Sequence, residues 1–203
     1  MIAGFRKSTV YCNGVDLSVH RAGQGEPLLL LHGFPQNHMC WERVAPQLAR
    51  HYDVIIPDLR GYGESEAPPN ESGNVTYSKR TMAQDIADLL TALAVQRANV
   101  LGHDRGARVA YRFALDHPER INKLGIIEIV PTADFWASWT ADLAIAAYHW
   151  TFLAQPAPLP EQMIGADPVA YLDWTLAQWT LSKSLDTFSP AALASYRKQI
   201  QNP

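Results

Sequence analysis

The pentapeptide Gly102-His103-Asp104-Arg105-Gly106 puts a charged residue between an apolar run and an amphipathic one. A carboxylate in that place has a use that a hydroxyl lacks. With a reference pKa of about 3.9, aspartate is ionised at neutral pH and needs no base to become nucleophilic. It can attack an sp³ carbon that bears a leaving group and form an alkyl ester with the protein. A base must then activate water to hydrolyse that ester. Upstream, His32-Gly33-Phe34-Pro35 closes a run of leucines. The backbone N–H of Phe34 in that turn and the N–H of Arg105, directly after the aspartate, could together hold the ester carbonyl oxygen. Plainer readings exist. Asp104 could cap the following helix, and the second motif could be an ordinary tight turn, which explains its Gly and Pro but not its pairing with 102–106.

These residues need elements to position them. Segments 8–11 and 15–20 flank Asn13-Gly14, the strongest short hairpin signal. Residues 27–31 and 52–57 read as strands buried on both faces. Between them a helix is expected over about 39–50, with Trp41, Val44 and Leu48 on one face. A Pro-, Gly- and Asn-rich surface loop spans 67–74. Met82, Ile86, Leu89, Leu90 and Leu93 then recur at helical spacing. A strand at 99–102, a helix at 106–117 and a strand at 124–130 complete an alternation that predicts a mostly parallel sheet with helices on both faces. From residue 132 the pattern turns helical and aromatic-rich, broken by the proline-rich stretch 155–160. Residues 1–131 therefore read as one part of an α/β core, and 132–203 as a helical cap inserted after a strand. The motif at 102–106 matches the strand–turn–helix elbow written G-x-S-x-G, with aspartate in place of serine; its glycines are expected to permit the strained turn.

Four stretches carry a family resemblance. They are Leu28-Leu-Leu-Leu-His-Gly-Phe-Pro-Gln36, Asp58-Leu-Arg-Gly-Tyr-Gly-Glu-Ser65, Gly102-His-Asp-Arg-Gly-Ala-Arg-Val109, and Tyr148-His-Trp150 with Phe152-Leu-Ala-Gln-Pro-Ala-Pro-Leu-Pro160. The chain resembles the haloacetate (fluoroacetate) dehalogenases of the α/β-hydrolase superfamily over essentially its whole length. The first two motifs are shared with epoxide hydrolases. The combination of Asp104, Arg105 and Arg108 with His149 and Trp150 is far more specific. The resemblance implies that Asp104 is the nucleophile, that Arg105 and Arg108 clamp the substrate carboxylate, and that His149 and Trp150 receive the departing halide. Guanidinium groups grip carboxylates in bidentate fashion, and imidazole and indole N–H groups suit a strongly hydrated halide. Surface ion pairs are the alternative for the arginines, and a satisfied histidine beside a core tryptophan is the alternative for the pair. The acid that orients a catalytic histidine is expected after the strand ending near 127. Glu128 stands there, where the family usually has aspartate, and an exposed strand-end glutamate is the other reading. The resemblance places the catalytic histidine further along than residue 203, and none of the seven histidines occupies its position, so the chain reads as C-terminally truncated.

Composition narrows the rest. With 47% apolar and 18% charged residues the chain is ordinary globular material. A net charge of −3 gives no electrostatic case for nucleic acid or an anionic membrane. Cys12 and Cys40 read as free thiols of a reducing compartment, and neither a signal peptide nor a transmembrane run is visible. A cytoplasmic enzyme acting on a small molecule is expected, without metal or organic cofactor and with room for a homodimer. The runner-up is an epoxide hydrolase, with Tyr148, Tyr171 or Tyr196 protonating the epoxide oxygen, although that class usually carries tryptophan where Arg105 stands. A haloalkane dehalogenase would waste both arginines. A serine esterase lacks its motif, since Gly63-Glu64-Ser65-Glu66-Ala67 has no second glycine. A binding protein without turnover is the non-enzyme reading.

Overall fold

The computed structural model describes residues 1–71 and 73–201; Ser72 of the expected loop and Asn202 and Pro203 at the end of the helical stretch lie outside the described residues. The chain forms two compact units, Met1–Ile129 and Val130–Pro203.

The first unit is built on six strands: β1 (Arg6–Cys12), β2 (Val15–Ala22), β3 (Glu26–Leu31), β4 (Tyr52–Pro57), β5 (Ala98–His103) and β6 (Ile121–Ile127). Their order across the sheet is β1-β2-β4-β3-β5-β6. The first hairpin is antiparallel, and Asn13 (φ 48°) and Gly14 (φ 79°) both take the left-handed backbone that a type I′ turn demands. β2 runs antiparallel to β4, and the remaining pairings are parallel. Parallel neighbours bring the carboxyl ends of β4, β3, β5 and β6 to one edge, which is where ligands bind in open sheets of this kind.

Burial follows the sequence pattern. Leu29, Leu30 and Leu31 of β3 and Val54, Ile55 and Ile56 of β4 are all fully buried, as strands covered on both faces must be. Helices α1 (Ala45–Leu48), α2 (Lys79–Ala92) and α3 (Arg105–Asp116) pack around this sheet. Met82, Ile86, Leu89 and Leu90 of α2 join Val109 and Phe113 of α3 and Leu29, Leu31, Ile55 and Val100 of the strands in one core. Ser78 caps α2 by accepting a hydrogen bond from the Thr81 N–H at 3.1 Å.

Two expectations are corrected. The single helix over 39–50 is instead a 3-10 turn, His38–Trp41, followed by the one-turn α1. Pro46 near the start of α1 has no N–H to extend a preceding helix. Trp41 is buried, but Val44 faces solvent, so the expected stripe does not form. The last strand ends at Ile127 rather than 130, because Glu128 adopts φ 63°, a left-handed backbone that cannot continue a ladder. Leu124, Ile126 and Ile127 of β6 are partly exposed.

The second unit is helical: α4 (Thr132–Ala137), α5 (Ala141–Ala146), α6 (Tyr148–Phe152), α7 (Leu159–Ala166), α8 (Pro168–Gln178) and α9 (Pro190–Ile200). The proline-rich stretch separates α6 from α7. Pro168 and Pro190 open their helices where a missing N–H costs nothing, behind side-chain caps from Asp167 and Ser189. Arg197 of α9 donates both arms of its guanidinium to Asp173 of α8 at 2.9 and 2.7 Å. No helix among the described residues is long and apolar enough to cross a membrane.

Candidate active site

Asp104 sits on the turn from β5 into α3 with φ 49° and ψ −118°, a conformation that side-chain-bearing residues rarely adopt. The strain rests on the aspartate itself. Gly102 and Gly106 permit that turn by clearance rather than by a left-handed backbone of their own. A Cβ on Gly106 would lie 2.3 Å from the Leu31 carbonyl oxygen, and one on Gly102 would lie 2.5 Å from the Ala107 Cα. The two glycines let α3 start hard against β3 and β5, so the turn between them projects its middle side chain.

The aspartate does not cap α3, since its side chain makes no capping hydrogen bond. Its Oδ1 instead accepts the Phe34 backbone N–H at 2.7 Å, so the turn after β3 and the turn after β5 meet at this carboxylate. Gly33 is required for that approach, because a Cβ there would sit 2.5 Å from both Cβ and Oδ1 of Asp104. Arg105 opens α3, where first-turn N–H groups have no intrahelical acceptor. Its guanidinium lies over the Phe34 ring, 5.3 Å from the centroid.

Beneath the turn lies a network that sequence reasoning missed. The buried His32 accepts the Leu59 N–H on Nε2 at 3.0 Å, which places its proton on Nδ1, facing the Gly33 carbonyl oxygen at 3.2 Å. Burial lowers its pKa, so this imidazole is a neutral strut. Asp58, directly after β4, is fully buried and accepts the His38 N–H at 2.7 Å, the His38 Nδ1–H at 2.9 Å and the Glu64 N–H at 3.1 Å. Burial pushes the Asp58 carboxyl up, but these donors outweigh it and hold it below the usual range. His20 stacks on His38 with centroids 3.7 Å apart and rings 17° from parallel. His20, His38 and Asp58 bring potential ligand atoms within 4.8 Å of one another. Near-parallel stacked rings cannot aim their in-plane lone pairs at one ion, and the Asp58 oxygens already have donors, so the group suits hydrogen bonding better than metal binding. Nothing local in the sequence signals this network, since His32 and His38 lie 20 or more residues from Asp58 and meet it only in the fold.

Of the expected carboxylate clamp, Arg105 is on the elbow and Arg108 is one turn further along α3. Arg108 is buried; desolvation lowers its pKa, while Asp104 and the Tyr111 hydroxyl oppose that shift. Glu128 follows β6 at the same sheet edge, its side chain 74% exposed and 3.7 Å from Nε2 of His103. Phe34, Asp104, Arg105, Arg108 and Glu128 thus gather in the first unit. His149 and Trp150 belong to the second, on α6, inside an aromatic cluster. Trp150 stacks on Phe135 at 4.2 Å, and His149 lies 4.7 Å from Trp179. The Tyr148 hydroxyl is 3.1 Å from Thr175 Oγ1, and Tyr196 is buried.

A mostly parallel sheet whose β5 end carries a strained acid between two close-packed glycines defines a class. Residues 26–203 match the profile of the alpha/beta hydrolase fold, and the chain belongs to that family. Among its relatives, the fluoroacetate dehalogenase of a Burkholderia species is 43% identical over all 203 residues, which span 66% of that protein. A soluble epoxide hydrolase from a Corynebacterium species is 35% identical over 185 residues, covering 91% of this chain and 63% of the relative. The crystal structure of a Nostoc protein classed as an alpha/beta hydrolase superposes with a TM-score of 0.96 at 44% identity, over all of this chain and 69% of the other. The chain therefore spans about two thirds of the length of these relatives.

Proposed function

We propose that the protein of which this chain is part hydrolyses short haloacids, converting a haloacetate and water to glycolate and halide through an ester on Asp104. The observation that carries the reading is the elbow: a carboxylate on a strained backbone with one oxygen held by the Phe34 N–H, and two guanidinium groups following it on one helix. An Asp104 oxygen attacks the halide-bearing carbon, the C–O bond forms as the carbon–halogen bond breaks, and the halide leaves with the electron pair. Arg105 and Arg108 are assigned to the substrate carboxylate, which orients that carbon. His149 and Trp150 of the helical unit are assigned to the halide by the family resemblance. Water then attacks the ester carbonyl, whose oxygen is held by the N–H groups of Phe34 and Arg105, and aspartate and glycolate are released. Glu128 would orient the imidazole that activates this water, a histidine which the family resemblance assigns outside residues 1–203. His32 does not suit that task, because both of its ring nitrogens are engaged in the turn.

Epoxide hydrolysis is the second reading, favoured by the similarity to the Corynebacterium enzyme. One experiment separates the two. Arg108→Leu in the full-length protein should lower kcat/KM for chloroacetate by roughly 100-fold while sparing a small neutral epoxide. Equal losses on the two substrates would make Arg108 a structural residue, and efficient turnover of the epoxide alone would select the second reading.

A further inference from the structure

The reading above uses only the backbone N–H of Phe34 and gives its ring no task. That ring lies beneath the Arg105 guanidinium, whose Cζ is 5.3 Å from the centroid, inside the ~6 Å at which an aromatic face attracts a cation. Both residues are half-buried. The ring stands on a fixed base. The Phe34 N–H donates to Asp104 Oδ1 at 2.7 Å, and the Gly33 carbonyl of the same peptide accepts the Gln36 N–H at 2.9 Å. Arg105 in turn is the first residue of α3. Among the described residues no carboxylate forms an ion pair with Arg105, and the Tyr62 phenol is its hydrogen-bond partner. A carboxylate partner would occupy the N–H edge of the guanidinium and compete there with a ligand anion. An aromatic face does not. It holds the cation by the flat of the group and leaves edge donors for a carboxylate.

We propose that the Phe34 ring is the platform that positions Arg105 for the substrate carboxylate, so that one residue couples the nucleophile to the clamp. The inference rests on Arg105 taking that carboxylate. Two parts of the substrate must be held in register: the carbon that Asp104 attacks and the carboxylate beside it. Phe34 meets the protein partner of each, Asp104 through its N–H and Arg105 through its ring. Their separation is thereby set within a single residue. An arginine side chain has several rotatable bonds, and fixing it at the moment of binding costs affinity. Stacking on the ring fixes it beforehand. The ring is thus a positioning element, not a catalytic residue, and it favours an anionic ligand over a neutral one of the same size.

The test is calorimetric titration of the full-length protein with acetate, an unreactive carboxylate, and with acetamide, its neutral counterpart. Position 34 is filled in turn by mono-, di- and trifluorinated phenylalanine, which nearly keep the shape of the ring while draining the negative charge from its face. Acetate affinity should fall stepwise, to about fivefold below wild type with three fluorines, and acetamide binding should not respond. Phe34→Tyr keeps the face and should bind acetate within about twofold of wild type, whereas Phe34→Leu should match or exceed the loss of the trifluorinated ring. A merely structural ring would show no gradation with fluorine, or would lose acetate and acetamide together, and either result would overturn the proposal. Acetate affinity that rises with fluorination would seat the anion on the ring itself and overturn it too, as would a wild type that binds no acetate. The Asp104 and Arg108 variants test the reaction separately. A selective loss of chloroacetate in Arg108→Leu, with acetate binding indifferent to the ring, would remove this inference and leave the reaction intact.

Discussion

Two aspartates stand at the carboxyl ends of parallel strands in one sheet, and they have opposite fates. Asp58 after β4 is fully buried, and its two oxygens accept three protein N–H groups. Its lone pairs are occupied, and no substrate can reach it. Asp104 after β5 is partly exposed and held on a strained turn, with the Phe34 N–H on Oδ1. One donor orients a carboxylate; several donors with full burial immobilise it and spend its basicity on structure. Glu128 after β6 is the third acid of this edge, mostly exposed and in only loose contact with His103. Along β4, β5 and β6 the acids grade from strut to candidate nucleophile to an acid whose carboxylate remains accessible. Residue type alone distinguishes none of these. Donor count and access do.

The comparison breaks first at the pair itself. Asp104→Asn should lower halide release by at least ~10³-fold with the fold intact, because an amide is a poor nucleophile. Asp58→Asn should do the reverse, costing about 3–5 kcal/mol of stability through its buried charge-assisted network while the surviving folded fraction turns over nearly normally. Halide assays normalised to folded protein, with denaturant melts of both variants, decide this. Inverted results would exchange the roles of the two aspartates. Next comes the clearance that lets Asp104 be oriented. Gly33→Ala would press a methyl onto the carboxylate and should lower kcat about 100-fold with little loss of fold. A kcat within threefold of wild type would mean that the Phe34 contact does not position the nucleophile. Smaller still is the effect at β6. Glu128→Gln should slow ester hydrolysis by roughly tenfold and leave carboxymethylated Asp104 visible by intact mass, whereas Glu128→Asp should restore turnover. A variant that shows neither slowing nor adduct would make Glu128 a simple strand-end residue.

Much of this was legible in the sequence because it depends on local pattern. The Asn13-Gly14 hairpin, the fully apolar β3 and the glycine-flanked Asp104 each follow from neighbours within a few residues. What was not legible depends on distant segments meeting. The glycines at 102 and 106 signal a tight turn, but whether they supply positive φ or clearance depends on β3 lying alongside, and the answer is clearance. The helix expected at 39–50 failed because Pro46 divides it, and Val44 lost its stripe with it. The roles of His32, His38 and Asp58 come from hydrogen bonds that span 20 or more residues. For His149 and Trp150, periodicity shows only an aromatic helical stretch, and the ring contacts add that they are neighbours in an aromatic cluster.

The last effect concerns the strut rather than the chemistry, and pH reads it. His20 is buried against His38, and desolvation, then the neighbouring imidazole, lowers its pKa to about 4 from an ordinary 6.5. The folded protein therefore holds this imidazole neutral, while the unfolded chain protonates it below about 6.5. Between those values the unfolded state binds more protons, so stability falls as pH drops, by up to ~3 kcal/mol if the full shift is expressed. Asp58 has the same sign at lower pH: its depressed folded pKa gives stability that is present above about 3.8 and lost as the folded carboxylate finally protonates. Denaturant midpoints should thus decline from pH 7 to pH 4.5 through His20 together with the buried His32, whose pKa burial also lowers, and only below that through Asp58. His20→Phe keeps a ring on the His38 stack and removes one of the two titrations, so it should make the first decline shallower and leave the second in place. An unchanged slope between pH 6.5 and 4.5 in that variant would assign the acid sensitivity to another group.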